Sequence, residues 1–331
     1  LAGTAVTVTS ASIAGLYAVD GNASLDGFVV IGSNVTDHGV LVGVDGSAAL
    51  SNCVLRNADT YGARLETTVA GSALILTNCT LNANGSYGVY SATSGGAAGT
   101  VTITNSIVTN QSWGVVRGDA STVTVTYSDV WNNASGNYSS VTPGAGVISS
   151  NPLYVSATNL RLTSNSPARF GANGGGDQGG LPYVSDQTVG LHGTLWTTTA
   201  LAVAASPYAV AGDLTVAPGV TLTIPAGVTL TFAATDVMGA GANTSRAELQ
   251  VAGTLIADAT PAAPIVLAAA SATAGSWYGV DLLPTAAGSV LDNLQISYPI
   301  YGLTHRATGA NTLTSITVTS ASIAAHPGHA R

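Results

Sequence analysis

The sequence predicts an all-β solenoid, a chain wound so that short strands stack in parallel, coil upon coil. Three observations carry that prediction. Three stretches align, LSNCVLRNADTYGARL (Leu50 to Leu65), LTNCTLNANGSYGVYS (Leu76 to Ser91) and ITNSIVTNQSWGVVRG (Ile103 to Gly118), and their shared Asn52, Asn78 and Asn105 recur after 26 and then 27 residues. An aromatic-Gly pair follows each Asn, at Tyr61-Gly62, Tyr87-Gly88 and Trp113-Gly114, and the same slot reads His38-Gly39 upstream and Tyr278-Gly279 and Tyr301-Gly302 downstream. Apolar residues alternate with period two in short runs such as VTITNSIV, and no stretch carries the i, i+3, i+4 spacing of a helix.

Each element of a coil then has a reason. A unit of about 22–27 residues with three short strands and no crossover helix makes parallel pairs only by winding once around and landing on itself. Asn suits the corner because it tolerates the left-handed backbone, and stacked Asn amides hydrogen-bond along the axis, so Asn52, Asn78 and Asn105 are expected to form a ladder. Leu55, Leu81 and Val108, just beyond that corner, are expected in the core. Glycine after the aromatic permits a bend that a Cβ would obstruct. His38 shares its slot with Tyr61, Tyr87, Trp113, Tyr278 and Tyr301, which points to packing rather than catalysis. Cys53 and Cys79 share a register on consecutive coils; parallel side-chain vectors suit a disulfide poorly and favour buried free thiols, although the spacing is within reach of a bond.

Composition bounds the function. Charged residues are 7% of the 331, against roughly 25% in an ordinary globular protein. The 46% hydrophobic content is spread in alternating runs that fill a long core. Lysine is absent, and eight Arg against sixteen acidic residues give a net charge of −8, which argues against nucleic acid or an anionic membrane surface as partner. No apolar run reaches the ~18 residues of a membrane span, and LAGTAVTV lacks the charged start of a signal peptide.

The run DGNASLDGFVVIGSNVTDHGV, followed by SNCVLRN, TNCTLNAN and TNSIVTN, resembles the right-handed parallel β-helix proteins of the pectate-lyase-like superfamily, in its mostly secreted bacterial branch. Asn151-Pro152-Leu153-Tyr154 and Leu162 to Ala168 stand where such modules carry their closing phrase, and a second similar module starts near LWTTTALAVAASPYAV. The resemblance implies a first module at 1–182, closed near 150–176, and a second at 183–331, parted in the Gly-rich stretch Gly171 to Gly193.

The resemblance implies two chemistries, Asp-bound Ca²⁺ with an Arg or Lys base in lyases, and clustered Asp with a nearby His in hydrolases. Either needs carboxylates converging on one patch. Asp37 and Asp59 are the closest approach in the sequence, with Asp45, Arg64 and Glu66 bordering the same edge. The next coils put Gly85, Ser86, Gln111 and Ser112 there. The reading is of solvated loop charges, with a weak Ca²⁺ site at Asp37 and Asp59 as the functional rival; no catalytic residue and no other cofactor is assigned. His192 lies by the linker, His305 follows a strand, and the tail pair His326 and His329 lacks the spacing and carboxylate partners of a metal site. The eight Asn-x-Ser/Thr sequons, at Asn22, Asn34, Asn78, Asn84, Asn110, Asn133, Asn137 and Asn243, fit the composition by chance. Thr-x-Thr runs such as TVTVT at Thr122 to Thr126 are read as an ordinary exposed strand face that does not recur at a fixed coil position, and not as an ice-binding array.

Two function classes follow. The first is an extracellular structural or adhesive rod of a surface filament or sheath; the second is a polysaccharide-binding or polysaccharide-degrading protein, with surface polysaccharide as partner. The first is preferred, with no activity expected on acidic polysaccharides. VTVTSASIA at Val6 to Ala14 returns as ITVTSASIA at Ile316 to Ala324. No closing phrase follows the second copy, so the chain is expected to pair end to end with copies of itself or with adjacent modules.

Overall fold

The computed structural model describes residues 6–9, 12–14, 17–19, 22–31, 38–43, 46–67, 70–93 and 98–323. They are all-β apart from one 3-10 turn at Val203–Ala205. The chain divides into two units, 1–163 with 167–186, and 164–166 with 187–331. The change of unit is interleaved rather than a single cut, because Asn165 bonds to Thr188 and His192 within the second unit.

The first unit winds six coils through three six-stranded parallel sheets. Its first sheet stacks Val6–Thr9, Asn22–Asp26, Ser47–Ser51, Ala73–Thr77, Thr100–Thr104 and Thr122–Thr126. The second stacks Ser12–Ala14, Val29–Ile31, Val54–Arg56, Thr80–Asn82, Ile107–Thr109 and Asp129–Trp131, and the third runs from Tyr17–Val19 to Gly136–Ser139. Period-two alternation sends one residue in two inward, so Leu25, Leu50, Leu76, Ile103 and Val125 form one buried column in register. Leu55, Leu81 and Val108 are fully buried in the same core.

The corners explain the Asn repeat. Gly27, Asn52, Asn78, Asn105 and Tyr127 hold φ of 69°, 54°, 50°, 55° and 48° at one corner of successive coils, so the slot selects a left-handed backbone and accepts more than Asn. Asn52 Nδ2 donates to Asp26 Oδ1 at 2.8 Å and Asn78 Nδ2 to Asn52 Oδ1 at 3.2 Å, while Asn105 Oδ1 accepts the Asn173 amide at 2.8 Å. A second left-handed corner, at Asn57, Ala83, Asn110 and Asn132, lies beyond the next strand.

Two further ladders are buried. Cys53, Cys79, Ser106 and Ser128 occupy one slot; each donates to the carbonyl two residues back, and Ser106 Oγ and Ser128 Oγ accept the Cys79 and Ser106 amides. Both cysteines are free and buried, acting as serine equivalents. Asn84, Gln111 and Asn133 pass side-chain amides to the carbonyls of Leu55, Leu81 and Val108, and Asn84 and Asn133 accept the Ala58 and Gln111 amides.

The Thr-x-Thr reading needs correction. Thr100, Thr102 and Thr104 stand in register with Thr122, Thr124 and Thr126 across two coils, because parallel pairing without a shift repeats the outward phase of the strand. The phrase around Asn151 to Ala168 does not lie over an open coil but along a flank. Tyr154 and Leu162 cover Ile107 and Thr109, Gly180 N–H bonds to Thr80 Oγ1, and Arg56 reaches the Thr158 carbonyl. That cover is why the outward residues Thr80, Ile107, Thr109 and Asp129 are buried.

The second unit coils less evenly. Val216 pairs with Val251, Val251 with Leu282 and Leu282 with His305, giving coils of 35, 31 and 23 residues. The first two exceed the expected 22–27 because loops at 233–247 and 270–278 are inserted between strands. Solenoids admit such insertions wherever the loop leaves the stacked strands undisturbed. Phe232 and Trp277 stack at 4.1 Å within a core of Leu214, Leu249, Leu267 and Leu294.

Candidate functional site

Two clusters gather polar and aromatic groups. In the first unit the aromatic slot becomes a stack on the outer face of the third sheet: His38 and Tyr61 lie 4.9 Å apart and Tyr61 and Tyr87 5.1 Å, with interplanar angles of 17° and 10°. In-register pairing puts one ring per coil at this position, so the rings meet face to face. Trp113 continues the register beside Tyr87 and packs on Gly136. Arg64 lies 4.9 Å from the Tyr61 ring, reaches His38 Nε2 at 3.3 Å and pairs with Glu66 at 3.1 Å. The ring faces are spent on one another, leaving edges and hydroxyls outward. Tyr278 and Tyr301, in the second unit, meet edge-on at 5.2 Å and 71° rather than stacking. Asp59 lies beside the first stack, where its carbonyl closely faces Gly85; Asp37, Asp45, His326 and His329 lie outside the described residues.

The second cluster is one the sequence reading did not find. Asp213, Glu248 and Asp281 point from the outer face of one sheet in the second unit, the first two in adjacent register: Leu214 pairs with Leu249, and the Glu248 amide donates to Asp213 Oδ1 at 3.0 Å. Asp213, Glu248 and Asp281 are 3%, 0% and 2% exposed. Burial first, then Asp236 and Glu248, push Asp213 up to about 9. Burial lifts Glu248 to about 7, opposed by the Ala242 amide and reinforced by Asp281 and Asp236. Asp281 is held by a two-pronged bond from Arg306, through Nε at 3.0 Å and Nη2. Asp236, on the 233–247 loop, accepts the amides of Asp213, Met238 and Ala240. Among the described residues no three His, Cys, Asp or Glu are placed to hold a metal ion. The signal in the sequence was an acid directly before an inward leucine, Asp213-Leu214 and Glu248-Leu249. The 35-residue coil concealed that they share a register.

The stacked parallel sheets, two corner ladders and inward aliphatic columns define a parallel β-helix. Residues 38–168, less than half of the chain, match the family model of the right handed beta helix region. No curated protein and no solved structure matches the chain. Among the described residues, no helix is long and apolar enough to cross a membrane.

Proposed function

We propose that this β-solenoid is an extracellular structural or adhesive component of a cell surface that associates end to end with its own copies or with adjacent modules. The observation that carries the reading is the coil at Thr312–Thr319. Among the described residues this eight-residue strand pairs with Val290–Ser297 alone, its core-phase residues Leu313 and Ile316 are half-buried, and Val318 is 42% exposed. Among the described residues no further strand lies on that edge, and such an edge above a half-buried aliphatic layer is a template for another strand. The return of the Val6 to Ala14 phrase at Ile316 supplies a matching strand sequence. Sedimentation and electron imaging at rising protein concentration test this: end-to-end association should appear, and weaken when Val318 is changed to Glu. Strict monomers at every concentration overturn it.

A second reading, action on a polysaccharide, is favoured by the carboxylates on one sheet face beside Arg306 and Tyr278. Release of unsaturated or reducing ends from an acidic polysaccharide, lost in Glu248→Gln, would establish it in place of the first.

A further inference from the structure

The loop at 233–247 is tied down by carboxylates rather than by apolar packing alone. Asp236 accepts three backbone amides, and the Ala242 amide donates to Glu248 Oε1 at 2.5 Å. Gly241, at φ 71°, sits directly on this pair: a Cβ there would collide with Glu248 Oε1 and stand 2.8 Å from Asp213 Oδ2. The two carboxylates therefore converge beneath one glycine. Their other oxygens, Asp213 Oδ2 and Glu248 Oε2, are buried and have no hydrogen-bond partner among the described residues.

Charges nearby do not neutralise them. Arg306 is engaged with Asp281, Arg246 donates to the Ala234 carbonyl on the loop, and Asp236 and Asp281 add negative charge from the loop and the adjoining strand. Tyr278 stands beside the cluster, its phenol held above the ordinary range by burial first and then by Glu248. Arg306, already bound to Asp281, offsets the burial of Glu248 only in small part, so two facing carboxylates in a site closed to water do not both ionise freely.

We propose that Asp213 and Glu248 keep a proton between them that latches the 233–247 loop onto the sheet, and that its loss releases the loop, making it a pH-operated flap. The elevated proton affinity of both groups, to about 9 and about 7, agrees with this geometry. The sign follows from linkage. Once the loop opens, both carboxyls return to roughly pKa 4, so above that pH opening releases protons that closure retains. Opening therefore grows with pH, by up to about tenfold per pH unit for each proton released. The dependence is steeper below about pH 7, where two protons are released, than between about 7 and 9, where one is.

Hydrogen exchange of the 233–247 amides from pH 5 to 9, corrected for base-catalysed exchange, reads the latch. Cleavage after Arg246 by trypsin between pH 7 and 9, normalised to a reference peptide, gives a second measure. Protection should fall and cleavage rise with pH in the native chain, while Asp213→Asn and Glu248→Gln flatten both profiles. A pH-independent loop, or unchanged pH dependence in both variants, overturns the proposal. Infrared spectra of the native chain do not depend on any variant folding. A protonated carboxyl band that shrinks between about pH 7 and 9, over any contribution from the buried Asp129, is expected, and a band unchanged over that range overturns the proposal. Closure at pH 8 driven by added Ca²⁺ in place of a proton overturns it in favour of a cation site.

Discussion

Asn78 donates its side-chain amide to Asn52 Oδ1 at 3.2 Å, one coil away, while both residues hold left-handed backbones at φ 50° and 54°. One residue type thus meets two demands of the corner, a positive φ and a bond along the solenoid axis.

Replacing Asn78 separates the two. Asn78→Ala should cost about 1–3 kcal/mol, from the left-handed conformation and the lost hydrogen bond. Asn78→Gly keeps the backbone freedom and should cost less. Urea denaturation of the two variants checks the order; equal losses would mean that the bond, and not the backbone, holds the corner.

Leu81 is fully buried between the in-register Leu55 and Val108. Leu81→Ala should destabilise the first unit by about 2–5 kcal/mol through the cavity it leaves. A loss well below that range would place Leu81 outside a packed core.

Cys79 fills a slot that Ser106 and Ser128 fill in later coils, and burial pushes its thiol well above the ordinary range. Cys79→Ser should change stability by less than about 1 kcal/mol, because the hydroxyl repeats the bond to the Thr77 carbonyl. Both thiols should resist a thiol reagent in the folded chain and react on unfolding. Rapid labelling of the native chain would contradict their burial.

Asp129 is fully buried, with the Ser150 amide on one oxygen and no partner for the other among the described residues. Burial holds its carboxyl well above the usual range, only partly offset by that amide. The folded state therefore keeps a proton that the unfolded chain sheds above about pH 4, so stability falls as pH rises past that point. Asp129→Asn should be more stable than the native chain at pH 8 and flatten this slope. Equal slopes from pH 4 to 8 would assign the dependence to other groups.

Arg306 pairs with Asp281, which is 2% exposed, although its own side chain is 48% exposed. Arg306→Met should cost roughly 1–3 kcal/mol, between the values for surface and buried pairs, because water screens the guanidinium but not the carboxylate left behind. Adding Asp281→Asn should recover most of the loss. Without recovery, the Arg306 contribution is packing rather than charge.

The sequence by itself determined the solenoid of the first unit. Coils of 25, 26 and 27 residues from Leu25 to Ile103 put Asn, aromatic and leucine back into the same environment, so there the period in the chain is the period in space. The slot shared by His38, Tyr61 and Tyr87 and the register shared by Cys53 and Cys79 are readable from that period, whereas the face-to-face packing of the rings is a finding of the structure. Only the tertiary structure decided which residues meet where coil lengths vary. Asp213 and Glu248 are 35 residues apart and touch because the 233–247 loop is looped out, and their burial depends on that loop folding back. The left-handed corner occupied by Tyr127, and the flank cover that buries Asp129, also lay beyond the sequence pattern. Periodic pairing is a local rule repeated along the chain, whereas burial of a charge is set by whatever distant segment comes to rest on it.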